Sequence, residues 1–193
     1  MNRRGTGDVN TLTVKEYLAL SKFGRLKYRL YRNPVVLFLI GPHYIFLFWS
    51  RFTGPHSGAR ERNNLYLTNV ALYSIWGTAI WALGLKTFLM LWAPVIIIGG
   101  GAGVWLFYVQ HQYENTYWRR GKDWDYATAA LQGSSYFVMP RLVHFLTGNI
   151  GFHHIHHLCP KIPNYKLRAC HEANPLFQQS PEITWGSSLK CAS

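Results

Sequence analysis

Two long stretches without a charged side chain constrain this chain more than any other feature. Residues 65–85 and 88–109 run for 21 and 22 positions, and Lys86 is the one charge between them. A helix of either length reaches about 31 Å, close to the hydrocarbon thickness of a bilayer. The spacing therefore predicts a transmembrane helical hairpin with its turn near Lys86. Within the second run, Gly99-Gly-Gly-Ala-Gly103 sets small residues four apart, a pattern that lets a neighbouring helix approach closely. A phosphate loop would need a strand before it and a Lys-Ser/Thr after it, and this stretch has neither.

Charge is segregated around the apolar runs. The chain carries 20 Lys+Arg against 8 Asp+Glu, a net charge of +12. Eight of the basic residues precede Pro34, three lie in residues 50–64, and eight follow Val109. Positive residues stay on the cytoplasmic side, so both ends are expected there and the turn near Lys86 outside. A basic excess suits nucleic acid, an anionic membrane or an acidic protein. The apolar runs select membrane lipids and argue against nucleic acid. The three cysteines, Cys159, Cys170 and Cys191, are expected as reduced thiols.

Upstream, Thr13-Val-Lys-Glu16 has the form of a capping box and predicts a helix from about residue 14 to just before Pro34. Lys22, Arg25, Arg29 and Arg32 form one basic stripe on it. That stripe suits lipid headgroups or plain solvent, and residues 1–33 read as a basic cytoplasmic or interfacial helix. Residues 34–49 are apolar but too short to span, with Gly41-Pro42-His43 in the middle. Residues 34–64 are expected to form a bent, interfacial or half-inserted segment and a polar connector, with His43 packed inside. Beyond the hairpin of residues 65–109, residues 110–178 should form a cytoplasmic region with two amphipathic helices meeting near Pro140. Residues 179–193 read as a flexible tail.

The chemistry concentrates in His153-His154-Ile155-His156-His157. On a helix His153, His156 and His157 share a face, with His154 about a quarter-turn away. A metal ion gives four crowded imidazoles a purpose; a surface patch or a pH-sensing cluster are the alternatives. Imidazole suits iron, zinc, copper or nickel, so spacing alone leaves the ion open. Glu-x-x-His, His-Glu-x-x-His and Cys-x-x-Cys are all absent, which removes the carboxylate di-iron, zinc-protease and thiolate patterns. An all-nitrogen site remains, with His111 as the further candidate because it emerges from the second span. Glu114, Asp123, Asp125 and Asn149 are the candidates for orienting those rings.

The segments from Gly151 through the histidines to Tyr165, and from Phe107 to Asn115, resemble the membrane fatty acid desaturase family, as do Asp123-Trp-Asp-Tyr126 and Ala129-Ala-Leu-Gln-Gly-Ser-Ser135. The likeness is nearest the acyl-lipid omega-6/delta-12 type. It implies an all-α membrane protein in which cytosolic helices hold a di-iron centre. That centre uses dioxygen and two electrons from a ferredoxin or cytochrome-type donor to desaturate an acyl chain. By the resemblance, His153, His156, His157 and His111 are iron ligands. The family also has a His-x-x-x-His box and a His-x-x-His-His box upstream, and neither occurs before residue 60. Arg3-Arg-Gly-Thr-Gly-Asp-Val9 resembles the stretch just after the second box. The chain is thus expected to correspond to the C-terminal half of such an enzyme and to be inactive alone. A non-catalytic metal-binding remnant and a carotenoid or alkane oxygenase of the wider superfamily are the competing expectations.

Overall fold

The computed structural model describes residues 11–54, 57–119 and 121–191. The stretch from Arg3 to Val9, singled out above, lies outside the described residues. The protein is mostly helical, and its described residues divide into two compact units, one within residues 20–105 and one within residues 11–19 and 106–191.

The capping box forms: Glu16 Oε2 accepts from the Thr13 N–H at 2.7 Å, and Thr13 Oγ1 accepts from the Glu16 N–H at 3.3 Å. The helix it starts, α1 (Val14–Ala19), is short. The single helix expected up to Pro34 is broken, because Ser21 turns its hydroxyl onto the Gly24 N–H at 3.1 Å and starts α2 (Lys22–Tyr31). Ser competes with helix continuation in this way and prefers a cap.

In the unit of residues 20–105, the chain after α2 turns at Asn33 and becomes helical again. It passes through a π-helical stretch, Val36–Ile40, then α3 (Gly41–Leu47) and a 3-10 turn, Trp49–Arg51. Helix α2 and this segment bend by 56°. The π-helical stretch has a chemical cause. Pro42 has no N–H to offer the Phe38 carbonyl four residues back, and the Gly41 N–H reaches one residue further, to the Val36 carbonyl.

Two long helices follow, α4 (Ala59–Leu83) and α5 (Leu85–His111), separated by Gly84 at φ 77°. Of the two spans expected from sequence, α5 is long and apolar enough to cross a membrane, while α4 does not meet that test among the described residues. Helix α4 starts six residues earlier than the uncharged run and takes in Arg60, Glu61 and Arg62. Asn63, Asn64, Thr68 and Asn69 further dilute it. Trp76 and Trp92, each eight residues from Gly84, meet edge to face at 5.1 Å between ring centres.

The glycine run of α5 receives the π-helical segment. A Cβ on Gly101 would stand 2.8 Å from the Phe38 carbonyl oxygen, and one on Gly100 would stand 3.5 Å from Pro42 Cβ. This is the close approach that small residues permit.

The other unit surrounds the histidine motif. It holds α1, the end of α5, α6 (Tyr126–Gln132), β1 (Tyr136–Phe137), α7 (Arg141–Leu146), α8 (His153–Leu158), α9 (Leu167–Ala173), β2 (Glu182–Ile183) and α10 (Trp185–Cys191). Phe152, Ile155 and Leu167 are its buried centre, with Tyr136, Ile162, Cys170 and Phe177 packed against them. Strands β1 and β2 pair in parallel, Tyr136 with Glu182 and Phe137 with Ile183. An all-α reading omits this pair. Residues expected as a flexible tail instead supply β2 and α10. Trp185 packs on Phe137 at 5.4 Å between ring centres, and Ile183, Ser180 and Ser188 are buried.

Replacing Gly101 with Ala should force the Phe38 carbonyl away and destabilise the unit by about 1–3 kcal/mol. Gly103→Ala, where a Cβ meets nothing within 4 Å, should be neutral or slightly stabilising. Thermal midpoints in detergent, read by circular dichroism, check the difference.

Candidate metal centre

Helix α5 carries His111 on its last residue, and α8 carries all five residues of the histidine motif. Helix α8 is set by the chain around it. After α7, Gly148 at φ 62° and Asn149 at φ 58° reverse the backbone. Asn149 Nδ2 donates to the Asn164 carbonyl at 3.1 Å. At Gly151 the chain passes so close to its neighbours that a Cβ would stand 2.6 Å from both the His144 ring and the Phe137 carbonyl. Phe152 enters the core and α8 begins. At its other end, the Tyr126 hydroxyl from α6 donates to the carbonyls of His157 at 2.8 Å and Leu158 at 3.0 Å.

Three ring nitrogens converge. The Nε2 atoms of His111 and His157 are 2.9 Å apart, those of His157 and His153 3.0 Å, and those of His153 and His111 3.3 Å. The rings stand nearly perpendicular to one another, at 80–88°. Metal–nitrogen bonds of ~2.1 Å would separate neighbouring ligand atoms by ~3.0 Å at right angles and ~3.4 Å in a tetrahedron. The triangle fits one ion. Tautomer chemistry agrees: His111 Nδ1 donates to the Phe107 carbonyl at 2.7 Å, which leaves the Nε2 lone pair of the neutral ring facing inward.

The other candidates are placed as follows. His156 lies about a quarter-turn from the line of His153 and His157 on α8 and stays outside the triple, its ring 5.7 Å from that of His153 and 5.9 Å from that of His157. His154 turns the opposite way and is fully buried. Of the residues expected to orient the rings, Asp125 caps α6 through the Thr128 N–H and hydroxyl, both at 2.7 Å. That cap holds its carboxyl below the usual range. Asp123 offers its main-chain carbonyl to the Tyr117 hydroxyl at 2.9 Å, and Asn149 serves the turn. Glu114 lines a cavity of about 440 Å³ beside His111, with Leu12, Tyr108, Trp118 and Cys191. The partner that orients His111 is a main-chain carbonyl one helical turn back, which needs no carboxylate.

Sequence reading missed Tyr126, whose hydroxyl holds the end of α8, and His144. His144 is buried and stacked on Phe152 at 4.8 Å and 20°, and among the described residues neither of its ring nitrogens meets a hydrogen-bond partner. A lone histidine in an apolar helix gives no signal of that kind. His43, expected to pack inside, is half-buried, with Nδ1 on the Leu39 carbonyl and Nε2 covered beside Gly100.

Burial keeps these imidazoles neutral. His153 is lowered to about 2 by desolvation first and then by the neighbouring rings of His111 and His157. His157 falls to about 4 by desolvation and then His111. His154 falls to about 4 by desolvation and then His171.

The chain matches the family model described as "Fatty acid desaturase" over residues 4–186. It is 46% identical over 190 residues to a protein of Bacillus subtilis (strain 168) named "Fatty acid desaturase", covering 98% of this chain and 54% of that one. It is 28% identical over 166 residues to the "sn-1 oleoyl-lipid 12-desaturase" of a Synechocystis strain, covering 82% of this chain and 46% of that one. Against the chloroplastic "Omega-6 fatty acid desaturase" of Spinacia oleracea, identity is 35% over 81 residues, 42% of this chain and 17% of that one. The chain thus spans about half the length of the first of these relatives. No solved structure matches.

The lowered histidine values fix a pH dependence. Unfolded imidazoles take up protons below about 6.5, whereas the buried rings stay neutral to about 4 or lower. Stability is therefore whole above pH 6.5 and is lost as pH falls through that window. The thermal midpoint of the metal-free chain should drop steadily between pH 7 and pH 4.5; a flat midpoint would contradict the burial of these rings.

Proposed function

The chain belongs to the fatty acid desaturase family, and on that premise we propose that His111, His153 and His157 hold one iron ion of a dioxygen-dependent desaturase acting on the acyl chain of a membrane lipid. The observation that carries this reading is the convergence of three Nε2 atoms within 3.3 Å of one another. When bound, iron supplies the oxidising chemistry: with dioxygen, two electrons and two protons, a methylene pair gives up two hydrogens and two waters leave.

The chain's own residues do the positioning. The Phe107 carbonyl keeps the proton of His111 on Nδ1, so Nε2 faces the ion. Tyr126 holds the C-terminal carbonyls of α8, and Gly151 lets that helix start against His144 and β1. Burial of His153 and His157 keeps protons from competing for their lone pairs. His156, outside the triple, is left to face a second ion, as a di-iron centre requires. The remaining nitrogens would come from the upstream histidine boxes that characterise the family. On this reading the 193 residues alone are inactive.

Helix α5 supplies a membrane span, and α4 folds back beside it as the second arm of a hairpin, with its turn near Lys86 outside and both ends cytoplasmic. The basic ends suit an acidic ferredoxin or cytochrome-type donor, and membrane lipids as well. The relatives named for omega-6 and oleoyl-lipid desaturation favour an unsaturated glycerolipid acyl chain as substrate.

The test is expression together with an upstream half carrying His-x-x-x-His and His-x-x-His-His, followed by gas chromatography of the host's fatty acids. A new double bond is expected with both halves and none with this chain alone. His157→Ala should remove the product and lower bound iron by at least about tenfold. Unchanged unsaturation in an iron-loaded pair would overturn the substrate, and hydroxylated products would assign an oxygenase instead.

A further inference from the structure

Helix α8 has a second polar face that the metal does not use. His154, a quarter-turn from the line of His153 and His157, is fully buried, and its Nε2 lies 3.3 Å from Nδ1 of His171 on α9. The rest of its setting is the main chain at Ser135 and Phe177 and two aromatic rings, its ring centre lying 6.3 Å from that of Tyr136 and 6.4 Å from that of Phe177. The His171 ring is itself seated, 4.7 Å from Tyr136 and 5.2 Å from Phe152.

A six-residue helix has little to define its own rotation. No side chain caps α8 at Phe152, and Tyr126 grips main-chain carbonyls at the other end, which fixes position along the axis more than rotation about it. Ile155 faces the core and tolerates small turns, because apolar contact is not directional. The ring-to-ring bond is directional. A buried nitrogen that loses its partner is costly, so the pair selects one rotation of the helix. The tolerance at the metal is narrow: a turn of about 10° moves a ring nitrogen ~6 Å from the axis by ~1 Å, against the ~0.5 Å that a ligand set allows.

We propose that His171 is a positioning residue of the metal centre, which through its bond to His154 fixes the rotation of α8 and hence the aim of His153 and His157. This rests on the reading of the triple as a metal site. His171 touches no ligand and no substrate in this role; it acts through His154 alone.

Two substitutions separate the nitrogen from the ring. His171→Phe keeps a ring against Tyr136 and Phe152 and removes the polar atom. His171→Asn keeps a polar atom near the Nδ1 position, able to donate or accept, and removes the ring. The full chain, purified in detergent, is titrated with cobalt(II) and followed by its visible absorption. In parallel, the metal-free chain is examined by nitrogen-15 resonances of the histidine rings. His171→Phe should weaken cobalt binding about tenfold and move the resonances of His153 and His157. His171→Asn should restore both, with circular dichroism unchanged throughout.

Unmoved His153 and His157 resonances in His171→Phe overturn the proposal, and so does equal loss in both variants, which would assign the role to ring packing. Should His171→Phe fail to fold, the Asn variant decides, retained resonances supporting the role and displaced ones overturning it. If the parent chain binds no cobalt, the metal reading falls, while the ring resonances still judge the link from His171 to His153 and His157.

Discussion

Three imidazole nitrogens crowded into one small volume are unfavourable on their own, and the C-terminal unit of this protein is arranged to keep them there. Neutral rings gain at most a proton shared between neighbouring nitrogens, and protonation would bring like charges within 3.3 Å. Burial blocks that route, since a charged imidazole is poorly solvated inside. The site is therefore held open by packing and by bonds made on the far sides of the rings and helices. Phe107 takes the outer proton of His111, Tyr126 takes the last carbonyls of α8, and Gly151 allows α7, β1 and the start of α8 to crowd together.

The two glycine contacts serve one purpose in the two units of the chain. At Gly101 a missing side chain brings a helix against the Phe38 carbonyl, whose usual helical donor is a proline nitrogen without hydrogen. At Gly151 the same absence seats a buried histidine ring against the strand that starts the motif. In both places one Cβ would move backbone, and backbone is what aims the ligands or packs the span.

The periodic features were the legible ones. The capping box at Thr13, the apolar α5 and the i, i+4 relation of His153 and His157 all follow from local spacing, and the structure contains them. What spacing left open was decided by tertiary contacts. Ser21 breaks a helix whose pattern would have continued, because its hydroxyl found a backbone N–H. The tail looked polar and unstructured by composition, yet Ile183 and Trp185 dock on Phe137 and its strand. Carboxylates looked like the natural partners of the ligand rings, but Asp125 was taken by a helix cap and His111 by its own helix. His156 was grouped with the ligands because it shares a broad face. The converging nitrogens of His153 and His157 use a narrower face of α8, and the His156 ring lies to one side of it.

That narrowness gives the motif its logic. At about 100° per residue, His153 and His157 lie ~40° apart around α8. His154 and His156 are each displaced by roughly a quarter-turn from their midline, in opposite directions. On the proposed reading one short helix thus addresses three separate environments: an ion on its central line, a buried partner on α9 to one side, and a half-exposed direction to the other. His154 and His171 occupy the buried side with a bond that tolerates little rotation. On the proposed reading, the opposite side belongs to a second ion, so the bond that sets the aim of His153 and His157 also sets that of His156. Rotation of α8 is then the single coordinate that both ions depend on.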